Sequence, residues 1–219
     1  MNLSESTTQI IRWIVNTFFC LVYLYCVFRF ISTNNYAMII LMIPYILVEL
    51  LSAALLMINK RPSYAANSIN EIIIPVIAAI WPVIVGLIMQ PHIIQGHPHI
   101  LAIAVIGLIV VYILELAALL SIRHAFSILP EARLIIDSGI YRYIRHPLYG
   151  LYIIWAGINL LITWDVSYFF VGMLPLIVFL TLRARIEERK LASALDGYKD
   201  YKENTGMFFP KISLASNLD

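Results

Sequence analysis

The residues best suited to chemistry lie together in Ser138-Gly139-Ile140-Tyr141-Arg142-Tyr143-Ile144-Arg145-His146-Pro147-Leu148-Tyr149-Gly150, where Arg142, Arg145 and His146 stand with three tyrosines directly ahead of an apolar run. Pro147 suits the first position of a helix, because its missing N–H would have no partner there and its ring already fixes a helical φ. Arg145 and His146 then sit at a helix mouth, where free backbone N–H groups and the positive end of the helix dipole favour an anion. Arg145 adds a forked donor that matches a carboxylate or phosphate. The same residues would also serve as a basic flank that orients a membrane helix. A second group, Glu187-Glu188, lies within Arg183-Ala184-Arg185-Ile186-Glu187-Glu188-Arg189-Lys190. If these acids meet Arg142, Arg145 and His146, they make a pocket with walls of both signs. Alone, an acid here stabilises its helix through an i, i+4 pair with Arg183.

The elements that must position these residues are membrane helices. Of the 219 residues, 61% are hydrophobic and 13% charged, against about 45–50% and about 25% in soluble domains. The expectation is an all-α polytopic membrane helix bundle with about six crossings, forming a single domain over residues 1–219. The crossings are read at 10–30, 36–58, 72–89, 100–120, 148–163 and 166–182. The last two, broken at Trp164-Asp165, read as a tight helical hairpin. Pro44, Pro75 and Pro82 are expected to kink their spans, with neighbouring helices satisfying the freed carbonyls. Cys20 and Cys26 read as buried residues on different faces of the first span, giving neither a disulfide nor a metal site.

Six crossings gather Lys60 and Arg61, the loop of Arg123, Arg133, Arg142 and Arg145, and the tail after Thr181 on one side, leaving Arg29 toward the other. Positive charge marks the cytoplasmic side, so both termini and the motif are expected there. The Arg183 to Lys190 run continues the last span without Gly or Pro, and Leu191, Ala194, Leu195 and Tyr198 recur at helical spacing. The last helix is therefore expected to extend into the cytoplasm and to lay that apolar face on the 121–146 connection.

Gly139-Ile140-Tyr141-Arg142-Tyr143-Ile144-Arg145-His146-Pro147-Leu148-Tyr149, a following hairpin, Glu187-Glu188 with Leu191, the pair Tyr198 and Tyr201, and Phe209-Pro210 together resemble the isoprenylcysteine carboxyl methyltransferase family over roughly residues 110–212. Phospholipid amine methyltransferases share this signature, and NADPH-dependent sterol reductases carry a related one. The resemblance implies a membrane-embedded methyltransferase that uses S-adenosylmethionine, with a methyltransferase-like core at 100–212 and variable transmembrane helices at 1–99. Under it, Gly139, Tyr141, Arg142, His146, Pro147, Tyr149, Glu187, Glu188, Tyr198 and Tyr201 become candidate cofactor-binding residues, and Arg145 and Glu188 candidate catalytic residues. The chain departs from the family pattern at Met207, where an Arg is usual, and at Leu195-Asp196-Gly197, which replaces a Phe-Gly.

A sulfonium methyl donor needs its nucleophile held in line at about 3–3.5 Å. A carboxylate is ionised at pH 7 and needs only positioning and charge balance, which Arg145 would supply; an amine must lose a proton, which calls on His146 or Glu188 as base. The expected acceptor is a carboxylate on a lipidated, prenylated or otherwise lipophilic molecule that enters from the membrane lipid. A phospholipid amine is the alternative acceptor, and a sterol-type reductase or a small transporter the alternative class. Neither a nucleic acid nor a metal is expected as a partner.

Two acids stand apart from the motif. Glu49 and Glu115 lie inside spans, where a carboxylate is costly and usually functional or paired. A transporter would use such residues, but the chain lacks the inverted repeats that go with them. His92, His97 and His99 read as an ordinary polar loop, since no Cys or acid accompanies them.

Overall fold

The computed structural model describes residues 4–58, 66, 68–89, 97–131 and 134–211; Lys60, Arg61, His92, Arg133 and Asp219 lie outside them. Among the described residues the chain is all-helical, with a single isolated β-bridge. The helices are α1 (Glu5–Thr33), α2 (Tyr36–Leu41), α3 (Ile43–Ile58), α4 (Asn70–Ile88), α5 (Pro98–Ser121), α6 (Pro147–Thr163), α7 (Leu174–Ala194) and α8 (Tyr198–Asn204). A 3-10 turn at Gly139–Arg142 precedes α6, and a π-helical segment at Tyr168–Met173 leads into α7.

Local chemistry sets several of these ends. Ser4 caps α1 by accepting from the Thr7 amide at 3.2 Å, and Asn35 caps α2 by accepting from the Met38 amide at 2.9 Å. The chain breaks at Met42 because Pro44 two residues on has no N–H to give and crowds the carbonyl four residues back. Pro75 and Pro82 lie inside α4, which remains one helix.

Four helical stretches, Ser6–Thr33, Asn70–Ile88, Pro98–Ser121 and Tyr168–Ala194, are long and apolar enough to cross a membrane. The expected second and fifth crossings rest on α3 and α6, of 16 and 17 residues. At about 1.5 Å rise per residue these fall short of an approximately 30 Å hydrocarbon core. Large apolar side chains such as Trp13, Phe28, Ile103 and Val166 point outward, as a lipid-facing surface requires.

α3 packs between α1 and α5, α5 packs on α6, and α4 packs on α7. Phe19, Leu56, Leu119, Ile128, Leu176 and Leu180 are the largest wholly buried apolar side chains of the interior. Polar links pin the layers: Asn16 Nδ2 donates to the Leu56 carbonyl at 3.0 Å, Arg12 pairs with Glu131 at 2.8 Å, and Lys190 pairs with Glu71 at 2.8 Å.

The expected hairpin is present, with α6 packed on the π segment that leads into α7. Trp164 turns the chain in the left-handed region (φ 49°), and Asp165 Oδ1 accepts from the Ser167 amide at 2.8 Å. Beyond the π segment α6 packs mainly on α5 and α7 mainly on α4. Trp81 of α4 takes the Gly172 carbonyl of the π segment at 3.2 Å, which secures α4 against this element. The apolar face expected to run unbroken to Tyr198 is interrupted. α7 ends at Ala194, Leu195 is extended, and Gly197 (φ 80°) redirects the chain into α8. Tyr198 is nevertheless buried. Cys20 and Cys26 are free thiols and only half-buried, not buried as expected.

Candidate functional site

The motif is folded against the chain's carboxy-terminal return. Gly139 has φ +60°, a conformation that L side chains rarely adopt. It opens the 3-10 turn that buries Tyr141 and leaves Arg142 exposed. Tyr143 to His146 then runs beside Gly206 and Met207. The Gly206 amide donates to the Tyr143 carbonyl at 3.0 Å, the Arg145 amide to the Gly206 carbonyl at 2.8 Å, and the His146 amide to the Met207 carbonyl at 2.9 Å. Gly150 makes room for this return, since a Cβ there would lie 2.4 Å from the Phe208 carbonyl oxygen. The family-variant Met207 thus contributes its main chain to the turn while its side chain packs on the core.

Two adjacent acids organise the charges. Arg145 Nε donates to Glu188 Oε1 at 2.7 Å, and its Nη1 reaches the carbonyls of Lys202 (2.9 Å) and Thr205. Glu188 is 4% exposed and also meets Lys202 Nζ at 2.8 Å. Held by two cations, it stays ionised. Glu187 takes the other side: Arg183 Nε donates to it at 3.0 Å and the Tyr149 hydroxyl at 2.5 Å. Arg183 also donates to the Ser127 carbonyl at 3.1 Å and lies 5.1 Å from the centre of the Tyr149 ring. The His146 imidazole stands between the acids, 3.6 Å from Glu187 and 3.5 Å from Glu188. It stacks on Tyr149, with ring centres 5.2 Å apart and planes within 7°. Phe208 packs edge-on against both rings.

These groups surround one end of a cavity of about 530 Å³. Tyr141, Arg145, His146, Tyr149, Glu187, Tyr198 and Tyr201 line it; Gly139, Arg142, Pro147 and Glu188 do not. Glu188 acts on the lining through Arg145, whereas Arg142, placed beside it in the sequence, makes no ion pair among the described residues. The Tyr201 hydroxyl donates to the Tyr141 carbonyl at 2.7 Å, and burial pushes its phenol up to about 12 against the pull of Arg145. Burial, reinforced by the Glu188 charge, likewise raises the Tyr198 phenol. His146 Nε2 and the Tyr198 hydroxyl are buried atoms with no hydrogen-bond partner among the described residues.

The same cavity is lined farther in by Tyr152, Glu115, Tyr112 and Glu49, and also by Arg29 and Thr33. The sequence had set Glu49 and Glu115 aside from the motif; the fold joins them to the same space. Sequence reasoning missed Thr205, Lys202 and Tyr152 altogether. Nothing local marks Thr205, which is polar and 4% exposed only because the return segment folds under Arg145. His97 and His99 stack edge-on at 6.0 Å, and no group of metal-holding residues occurs among the described residues.

Residues 98–193 match the isoprenylcysteine carboxyl methyltransferase (ICMT) family. The match takes in less than half of the chain and includes the motif and the Glu187-Glu188 pair on which the resemblance rested. It begins at the first turn of α5, earlier than the resemblance had it, and stops before α8 and the return segment. No curated protein matches the chain.

Proposed function

We propose that the chain is an S-adenosylmethionine-dependent methyltransferase that modifies a lipophilic acceptor, with cofactor site and both termini on the cytoplasmic side. The observation that carries this reading is the meeting of the motif, the two acids and the return segment at one end of a cavity that runs on between apolar helices. The residues present fit the cofactor. The Tyr198 hydroxyl is a buried group with no hydrogen-bond partner among the described residues. Tyr141, Tyr198 and Tyr201 would offer faces to an adenine, Glu187 would offer charge to an ammonium, and the Tyr198 hydroxyl and His146 would offer donors to a carboxylate.

When bound, S-adenosylmethionine supplies an electrophilic methyl group on a sulfonium. The chain's own part is to orient and to manage charge. Phe208 packs edge-on against Tyr149, and Tyr149, fixed by Glu187 and Arg183, lines the cavity. The family favours a carboxylate acceptor, which needs no base. An amine acceptor is the second reading, favoured by two observations. Arg145 is already committed to Glu188 and two carbonyls, and the inner cavity carries acids rather than free cations. An amine would call on His146 to take the proton, and Glu187 at 3.6 Å and Glu188 at 3.5 Å support that reading.

Calorimetry on the detergent-purified protein tests the class. S-adenosylmethionine should bind, and NADPH should not. NADPH binding alone would return the chain to the reductase reading, and binding of neither would remove the methyltransferase reading. A mass-spectrometric search of membrane lipids for a gain of one methyl group then identifies the acceptor.

A further inference from the structure

The inner part of the cavity holds two acids that the mechanism above leaves unused. Glu115, on α5, is 3% exposed, and Glu49 faces it from α3; both line the cavity. Glu49 Oε2 is buried with no hydrogen-bond partner among the described residues. Among the described residues neither acid has an ion pair. Arg183, a cation that also lines the cavity, is held by Glu187, the Ser127 carbonyl and the Tyr149 ring. Arg29, at the far end, contacts Tyr25 at 3.4 Å.

The walls around the two acids are aromatic. Tyr45 and Tyr112 have ring centres 5.2 Å apart, and Trp155 Nε1 donates to the Tyr112 hydroxyl at 3.0 Å, which fixes these rings. Tyr23 and Tyr152 complete the lining. Carboxylates buried without a partner are costly and call for a counter-charge, and aromatic faces attract a cation through their ring electrons. Both features select the same ligand chemistry. An ammonium would stabilise the ionised form of either acid, which neither a carboxylate nor an uncharged chain does.

We propose that Glu49 and Glu115 form a subsite for an ammonium group carried by the acceptor, so that the substrate is an amine-bearing amphiphile whose cationic group reaches past the cofactor mouth. The assignment of an acceptor rests on the methyltransferase reading, whereas the preference of the cavity for ammonium does not.

The test uses the full chain in a non-ionic micelle and three probes of equal chain length: dodecylammonium, dodecanoate and dodecanol. Calorimetric titration, with protein-free micelles subtracted, should show dodecylammonium bound at least about tenfold more tightly than the other two, the scale of a charge-assisted hydrogen bond. Glu49→Gln and Glu115→Gln should each lose most of that preference. Equal binding of dodecanoate and dodecylammonium by the wild-type chain would overturn the proposal, and needs no variant to fold. Undiminished ammonium preference in both glutamine variants would overturn it as well. S-adenosylmethionine titrated into the same proteins reports separately: its failure to bind sinks the methyltransferase reading while the ammonium preference still decides the subsite.

Discussion

Replacing Arg145 separates two roles that the sequence alone could not tell apart. As an acceptor-binding cation, Arg145 would matter to turnover and little to folding. As built, it is a clamp whose Nε takes Glu188 at 2.7 Å while Nη1 takes the carbonyls of Lys202 (2.9 Å) and Thr205. A hydrogen bond to a charged group contributes about 1.5–3 kcal/mol, so the gross loss in Arg145→Ala is several kcal/mol. Orphaning a buried carboxylate outright costs about 3–5 kcal/mol. Glu188 is not orphaned, because Lys202 Nζ remains at 2.8 Å, although that lysine side chain is 50% exposed and screened. The net expectation is therefore about 2–3 kcal/mol for Arg145→Ala. Arg145→Lys, which keeps the ion pair and loses the fork, should cost about 1–2 kcal/mol. Chemical denaturation in detergent measures the loss, and limited proteolysis follows the 195–211 segment, which should be cut faster in both variants. An Arg145→Ala protein with wild-type stability and wild-type protection of that segment would refute the clamp and restore Arg145 to the acceptor alone.

Glu187→Gln should weaken S-adenosylmethionine binding by about 1.5–3 kcal/mol, measured by calorimetry; unchanged affinity would leave the acid as a structural partner of Arg183 and Tyr149 only. Gly150→Ala places a methyl 2.4 Å from the Phe208 carbonyl oxygen, so the backbone of the return must move. The expected signature is a loss of about 1–3 kcal/mol in stability together with weaker cofactor binding, and wild-type behaviour would show that the return yields freely. Reporter fusions at the amino terminus and after Lys211 should both register in the cytoplasm, and an outer-side signal from either would reject the proposed topology.

Much of the helical layout was legible because α1, α4 and α5 are uninterrupted apolar runs, and Pro44 announced the break that falls at Met42. What the sequence could not convey depends on contacts between distant residues. The π segment at Tyr168–Met173 has no compositional mark, and the pairing of α6 with α5 and of α7 with α4 emerges only on folding. Arg142 looks equivalent to Arg145 in the motif, yet the 3-10 turn carries it outward while the Gly206 ladder draws Arg145 in. Glu49 and Glu115 drew notice as costly acids, but only the fold shows that they share a cavity with His146 and Glu187. Tyr198 was placed on the correct buried face for an incomplete reason, since Gly197 and not a continuous helix brings it there.

The adjacency of Glu187 and Glu188 explains why so many groups converge in so little sequence. Successive residues of a helix project about 100° apart, so one turn of α7 presents a carboxylate to each side of the His146 ring. Glu187 faces α6 and fixes Tyr149 and Arg183, which line the cavity. Glu188 faces the return and fixes Arg145 and Lys202, which hold the return segment. The cavity lining and the return segment are thus tied to the same helical turn, and His146 is the side chain in contact with both. A change of charge at His146 would be felt by both acids at once, at 3.6 Å and 3.5 Å.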